Sequence, residues 1–259
     1  MIVTVLGSCA NQTVDREGVA LLVEDDDGQN QLLVDTGPGI VAALGRAHRL
    51  AAEINVVVLT HCHGDHLAGF PYFVWQRHYE RLGQDQPAKD LLVLGLPHVL
   101  RTAEAMLDGC YADTHFPFHV HYTHISPSTT LEQENFQITV VGVTHATATI
   151  GLVIDRNGKR VAISSDTLPN IDFIKHSSGA DLLLHEGMWT EKFRDLADRT
   201  RHSTASDAAQ VALKSNSSQL VMLHIFPPLL GRERELLIEA SATFHGPISI
   251  PHDGSVYRV

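Results

Sequence analysis

The chain has 259 residues, 44% of them hydrophobic, enough to build a substantial core in a single domain spanning residues 1–259. Nineteen Lys and Arg against thirty Asp and Glu leave a formal net charge of −11, which disfavours the broad cationic surface that a large RNA or DNA partner requires. No apolar window approaches the ~20 residues of a membrane span, "MIVTVLGSC" lacks the basic start of a secretion signal, and Cys9, Cys62 and Cys110 do not form a disulfide framework. A cytoplasmic protein with reduced thiols and no membrane partner is therefore expected.

In chain order, β-branched and apolar runs at 2–6, 19–24, 31–36, 54–60 and 90–95 predict strands, followed by further strands at 136–143, 150–155, 160–165, 181–185 and 219–224. Helical periodicity places helices near 39–51, 70–82, 97–108, 204–215 and 231–244. Thr204, with Asp207 three residues later, supplies an N-cap for the fourth helix. "DDDGQN" at 25–30 and "DRNGKR" at 155–160 sit between strand pairs and read as hairpin turns, the second around an Asn-Gly dipeptide. Hairpins mixed with strand-to-helix units define an α/β protein with a mixed sheet. There is no repeat, low-complexity tract or Pro/Ser-rich linker.

Four of these strands end on residues that can ligate metal or move protons: His61, Asp166, His185 with Glu186, and His224. The C-terminal edges of strands in α/β sheets are where ligand sites form, so these residues are expected to converge. The densest cluster is "LTHCHGDHLAGF", Leu59 to Phe70. Alternating His61 and His63 can turn two imidazoles towards one point, while Asp65 and His66 face a second point beside it. Imidazole and carboxylate donors suit Zn²⁺, with Mn²⁺ or Fe as competitors. Two such ions roughly 3.5 to 4 Å apart clamp an attacking hydroxide and a leaving oxygen. Four residues cannot complete two coordination shells, so further ligands must come from distant sequence, with His145, Asp166 and His224 as candidates.

The HxHxDH pattern followed by "LAG", with "LLVDTG" upstream and His145, Asp166 and His224 downstream in that order, resembles the metallo-β-lactamase superfamily of hydrolases. The segments "LLLHEGMW" and "RHSTASDAA" further resemble the ribonuclease Z-like branch of phosphodiesterases. The resemblance implies an αββα sandwich with mixed sheets and a dimetal site at the sheet edge. It also implies that His61, His63 and His145 hold one metal, that Asp65, His66 and His224 hold the other, and that Asp166 bridges them. A hydroxide shared by the two ions would attack phosphorus, with Asp65 orienting it. His202 would protonate the leaving oxygen, held in the correct tautomer by Glu186. His185 reads as structural, Asp35 as a support for the metal loop, and Cys62, pointed away from its neighbouring ligands, as buried.

Other segments carry less. "FPYFVWQRHYERLG" reads as an amphipathic helix whose Phe70 and Tyr72 pack in the core. "CYADTHFPFHVHY" holds His115, His119 and His121, but no carboxylate or thiolate pair accompanies them in the sequence, so they read as surface residues. Lys159-Arg160 and Arg232 with Arg234 are too sparse for a nucleic-acid patch.

Only 21 positions separate His145 from Asp166, and a hairpin fills them. Enzymes that trim transfer-RNA 3′ ends in this branch carry a long RNA-binding arm there. The expected activity is therefore a metal-dependent phosphodiesterase acting on a small or cyclic anionic phosphodiester. The alternatives are a tRNA 3′-processing endoribonuclease lacking the arm, a lactonase, thioesterase or sulfatase-type hydrolase, and a non-catalytic metal sensor. Many relatives in the branch dimerise, which makes a homodimer the implied self-partner.

Overall fold

The computed structural model describes residues 1–86 and 88–259. In chain order the strands begin with β1 (Ile2–Gly7), β2 (Ala20–Glu24), β3 (Gln31–Val34), β4 (Val56–Leu59), β5 (Leu91–Gly95), β6 (Val120–His124) and β7 (Thr130–Gln133). They continue with β8 (Phe136–Val143), β9 (Thr149–Arg156), β10 (Lys159–Ile163), β11 (Leu182–Glu186), β12 (Leu220–Leu223), β13 (Ile248–Ser249) and β14 (Val256–Arg258). The α-helices are α1 (Ile40–Arg46), α2 (Gly64–Leu67), α3 (Phe70–Tyr79), α4 (Pro97–Tyr111), α5 (Ile171–His176), α6 (Arg194–Thr200), α7 (Ala205–Lys214) and α8 (Glu233–Ser241). No helix among the described residues is long and apolar enough to cross a membrane.

The chain divides into two compact units. The first comprises residues 1–7, 12–125 and 252–258 and contains a seven-stranded sheet in the order β14-β1-β2-β3-β4-β5-β6. From β14 to β3 its strands pair antiparallel, whereas β3 to β6 pair parallel, because α2 and α3 carry the chain from β4 to β5 and α4 carries it from β5 to β6. The second unit comprises residues 8–11, 126–251 and 259 and contains a sheet in the order β13-β12-β11-β10-β9-β8-β7. It repeats the same logic: β7 to β10 are antiparallel and β10 to β13 are parallel. Both turn segments expected as hairpins join antiparallel neighbours, β2 to β3 and β9 to β10.

The parallel strands β4, β11 and β12 are buried at every position, as unbroken apolar runs with both faces covered should be. In the second unit, Ala205, Ala208, Ala209 and Ala212 recur along one face of α7 and are buried against a core that includes Leu183, Met222, Leu236 and Ala240. The expected N-cap is present and reciprocal: Thr204 Oγ1 accepts the Asp207 N–H, and the Asp207 carboxylate accepts the Thr204 N–H.

The first helix is shorter than its periodicity indicates, ending at Arg46 instead of 51. His48 adopts a left-handed φ of 54°, and the Arg49 N–H closes back on the Leu44 carbonyl, a C-terminal stop that ordinarily takes glycine. Arg49 is then held away by an ion pair to buried Glu24 at 2.7 Å. The short elements β6, β7, β13, β14, α2, α5 and α6 have no counterpart among the sequence-predicted elements.

Candidate metal centre

In the first unit, β4 delivers the chain to Thr60 and His61, after which the backbone turns at His63 into the single turn of α2. His63 occupies the N-cap position of α2 in an extended conformation, and its side chain does not cap the helix. Asp65 and His66 follow within that turn. The sequence cluster is thereby folded onto itself. The His61 ring lies 4.7 Å from that of His63 and 4.2 Å from that of His66, and His66 Nε2 is 3.9 Å from Asp65 Oδ2. His61 and His66 are fully buried, Asp65 and His63 partly so.

Asp35, just past β3, fixes this loop. Its Oδ1 accepts the Thr60 N–H, and its Oδ2 accepts both the Thr60 hydroxyl and His66 Nδ1–H, each at 2.7 Å. Because the Thr60 hydroxyl donates to Asp35, its oxygen is left to accept from His61 Nδ1–H at 3.1 Å. Both imidazoles thus carry their proton on Nδ1 and present the Nε2 lone pair. The neighbouring backbone is equally tight: a Cβ on Gly37 would sit 2.4 Å from the Asp65 carbonyl oxygen, so this approach requires glycine.

In the second unit, Asp166 follows β10, Glu186 ends β11 and His224 follows β12, while His145 and His202 come from loops. Asp166, His145 and His224 are buried. Oδ2 of Asp166 lies 3.7 Å from His145 Nε2 and 3.3 Å from His224 Nε2. His145 is clamped by Arg201 at both ends: its Nδ1–H donates to the Arg201 carbonyl at 3.0 Å, and Arg201 Nη1 donates to the His145 carbonyl at 3.0 Å. His145 therefore also presents its Nε2 lone pair, here towards a carboxylate oxygen. Two acceptors held face to face in a buried site repel unless a cation lies between them, so this donor set fits divalent metal. Imidazole lone pairs and a carboxylate are the borderline and hard donors that zinc accepts.

Glu186 and His202 form a separate pair. His202 Nδ1 lies 3.1 and 3.2 Å from the two carboxylate oxygens of Glu186, which also accepts the backbone N–H groups of Thr167 and Ser203. The His202 ring stands 4.8 Å from His145 and 5.1 Å from His224, stacked on the latter at 18°. This side chain is held beside the ligand candidates and not on a helix cap, where Thr204 performs the capping.

His185 is fully buried, donates Nδ1–H to the Glu186 carbonyl at 2.7 Å, and has its pKa pushed down by burial, consistent with a structural role. Cys62 is half-buried instead of buried. Phe70 is in the core, whereas Tyr72 is exposed. Thr60, Thr167, Arg201 and Ser203 are supports that the sequence reading did not single out. Their only signal is adjacency, each lying within one residue of a candidate.

The family of the β-lactamase superfamily domain matches residues 30–225. An uncharacterized protein of Mycobacterium tuberculosis is 31% identical over 224 residues, covering 84% of this chain and 77% of the relative. Ribonuclease Z of Haloarcula marismortui is 23% identical over 310 residues, covering 100% of this chain and 97% of the relative. Among solved structures, the metallo-β-lactamase fold protein YhfI of Bacillus subtilis matches with a TM-score of 0.82 at 21% identity, over 99% of this chain and 98% of that one. A diphosphatase from the PhnP family matches with a TM-score of 0.74 at 18% identity, over 100% of this chain and 97% of that one. Likeness at these identities speaks for the fold, and it bears out the α/β class with mixed sheets and the αββα fold expected from the sequence.

Proposed function

The chain belongs to the β-lactamase superfamily, and from that premise we propose that it is a dinuclear metal-dependent phosphodiesterase acting on a small or cyclic phosphodiester. His61, His63 and His145 would hold one ion, Asp65, His66 and His224 the other, and Asp166 both. Bound there, two divalent ions, zinc by donor preference, would bring the pKa of water to about 7 and neutralise charge building on the non-bridging phosphate oxygens.

The chain's own residues do the rest. Asp65 orients the attacking water. Asp35, Thr60 and Arg201 keep three imidazoles in the Nδ1–H tautomer, so that none rotates away from its task. Glu186 accepts His202 Nδ1–H and favours the protonated ring, and His202 gives its Nε2 proton to the departing alkoxide. The carrying observation is this Glu186–His202 pair: a proton donor is what an alkoxide leaving group needs, and a metal sensor has no use for one.

Substrate size is supported by the segment between His145 and Asp166, which is consumed by β9, β10 and their two-residue turn. The alignment with ribonuclease Z runs over 310 residues against 259 here, so that relative carries segments this chain lacks. The diphosphatase neighbour favours attack at phosphorus over attack on a lactone or thioester carbonyl. The test is a substrate panel on zinc- or manganese-loaded protein: bis-p-nitrophenyl phosphate, 2′,3′-cyclic nucleotides, a 3′-extended tRNA precursor, and lactone, thioester and sulfate esters. Turnover of the diesters without tRNA cleavage is expected. Cleavage of the precursor alone would make the protein a ribonuclease Z, and turnover confined to the other esters would change the bond.

A further inference from the structure

The histidines His119 and His121 read as ordinary surface residues in the sequence because no carboxylate accompanies them. The fold supplies one. β5 and β6 pair in parallel with Leu91 opposite Val120, which sets Asp90, at the threshold of β5, beside His119. His119 and His121 are two residues apart and share one face of the strand, with Val120 and Tyr122 on the other. His121 Nε2 lies 3.1 Å from Asp90 Oδ2, and His119 Nδ1 lies 3.5 Å from Asp90 Oδ1. All three side chains are solvent-exposed, and one donor atom from each falls within 4.8 Å of the others.

These separations have a metric meaning. Ligands about 2.0 to 2.1 Å from a tetrahedral Zn²⁺ stand about 3.3 to 3.4 Å from one another, the edge of the tetrahedron. The two nitrogen–oxygen distances bracket that value. We propose that Asp90, His119 and His121 form a second, solvent-facing site for one divalent transition-metal ion, zinc or copper, with water completing the coordination.

The backbone around the site is set in advance. The Asp90 carboxylate accepts the His119 N–H at 2.8 Å, and the Leu91 N–H donates to the His119 carbonyl at 2.8 Å. Beneath them Arg77 is fully buried. Its Nη2 donates to the Lys89 carbonyl at 2.7 Å, and its guanidinium lies over the Phe118 ring at 5.2 Å. One buried cation thereby grips the residues immediately preceding Asp90 and His119. The site shares no residue with the centre proposed for hydrolysis and stands independently of that reading.

Equilibrium dialysis of the full chain against Zn²⁺ tests it, with wild type compared to Asp90→Asn, His119→Gln and His121→Gln. Wild type is expected to bind one more Zn²⁺ per chain than His121→Gln. Each single replacement should weaken that extra site at least about ten-fold while diester hydrolysis is unchanged. Asp166→Asn should retain the extra ion, and Cu²⁺ bound to Asp166→Asn should show nitrogen coupling in electron paramagnetic resonance that Asp166→Asn/His119→Gln/His121→Gln loses. Equal zinc stoichiometry and affinity in wild type and the double variant would overturn the proposal. The replaced groups are exposed, and unchanged circular dichroism controls for folding.

Discussion

Ten described residues other than glycine have a positive φ, and four of them bear on the candidate centre: Asp35 at 62°, Ser165 at 54°, Arg201 at 59° and His224 at 58°. Left-handed backbone costs an L-residue about 1 kcal/mol or more, and it persists where the surroundings over-determine it. Each of these turns re-aims the chain as it leaves a strand or helix: Asp35 towards His66, Ser165 before Asp166, Arg201 before His202, and His224 itself. Substitutions should separate ligation from proton transfer. Asp166→Ala is expected to lose both metals together with activity, measured by elemental analysis alongside turnover, and a fully active variant would refute the shared role. His202→Ala should keep its metal content while kcat falls about 10²- to 10⁴-fold, the usual worth of a general acid. Glu186→Gln should do the same to a lesser degree and move the alkaline limb of the pH–rate profile to lower pH, because the neutral amide no longer favours the protonated His202 ring.

At the level of elements, the parallel half of each sheet does the positioning, since β4, β10, β11 and β12 all end at candidate residues. That much was legible: unbroken apolar runs such as "INVVVLT" and "QLVML" announce buried parallel strands, and the residues after them stand out chemically. Asp35 was legible as a support, whereas Arg201 and Asp90 were not, because the contacts of Arg201 with His145 and of Asp90 with His121 span 56 and 31 residues, which no local period reports. The end of α1 was missed for a related reason, as the backbone turn at His48 leaves no glycine or proline there to mark it. Two predictions belong here. Thr204→Ala removes the cap of α7 and should destabilise the protein by about 1 kcal/mol, lowering Tm by about 2 to 4 °C in calorimetry. His185 within β11 has a pKa below its unfolded value of about 6.5, so the unfolded chain binds the proton more tightly. Stability is then unaffected above pH 6.5 and falls as the pH drops below it. His185→Leu should flatten the acid limb of the Tm-versus-pH curve relative to wild type, and superimposable acid limbs would contradict the assignment.

For the whole molecule, the net charge of −11 and the candidate centre pull in opposite directions. An acidic chain repels phosphates, and the proposed centre concentrates further carboxylates at Asp65 and Asp166. Bound cations reconcile the two, because they supply the positive charge that composition lacks and relieve the repulsion among buried acceptors. Removing them should therefore cost stability as well as activity. If the ions bind the native chain at about 100 times their Kd, each contributes about 2.7 kcal/mol by mass action. At about 2 to 4 °C per kcal/mol for a chain of this size, chelation should lower Tm by several degrees per ion. Differential scanning calorimetry before and after chelation, with zinc restored in a third scan, measures this directly. A Tm indifferent to chelator, in protein shown by elemental analysis to have lost its metal, would mean that the carboxylates and imidazoles tolerate one another without cations, and the dinuclear reading would fall with it.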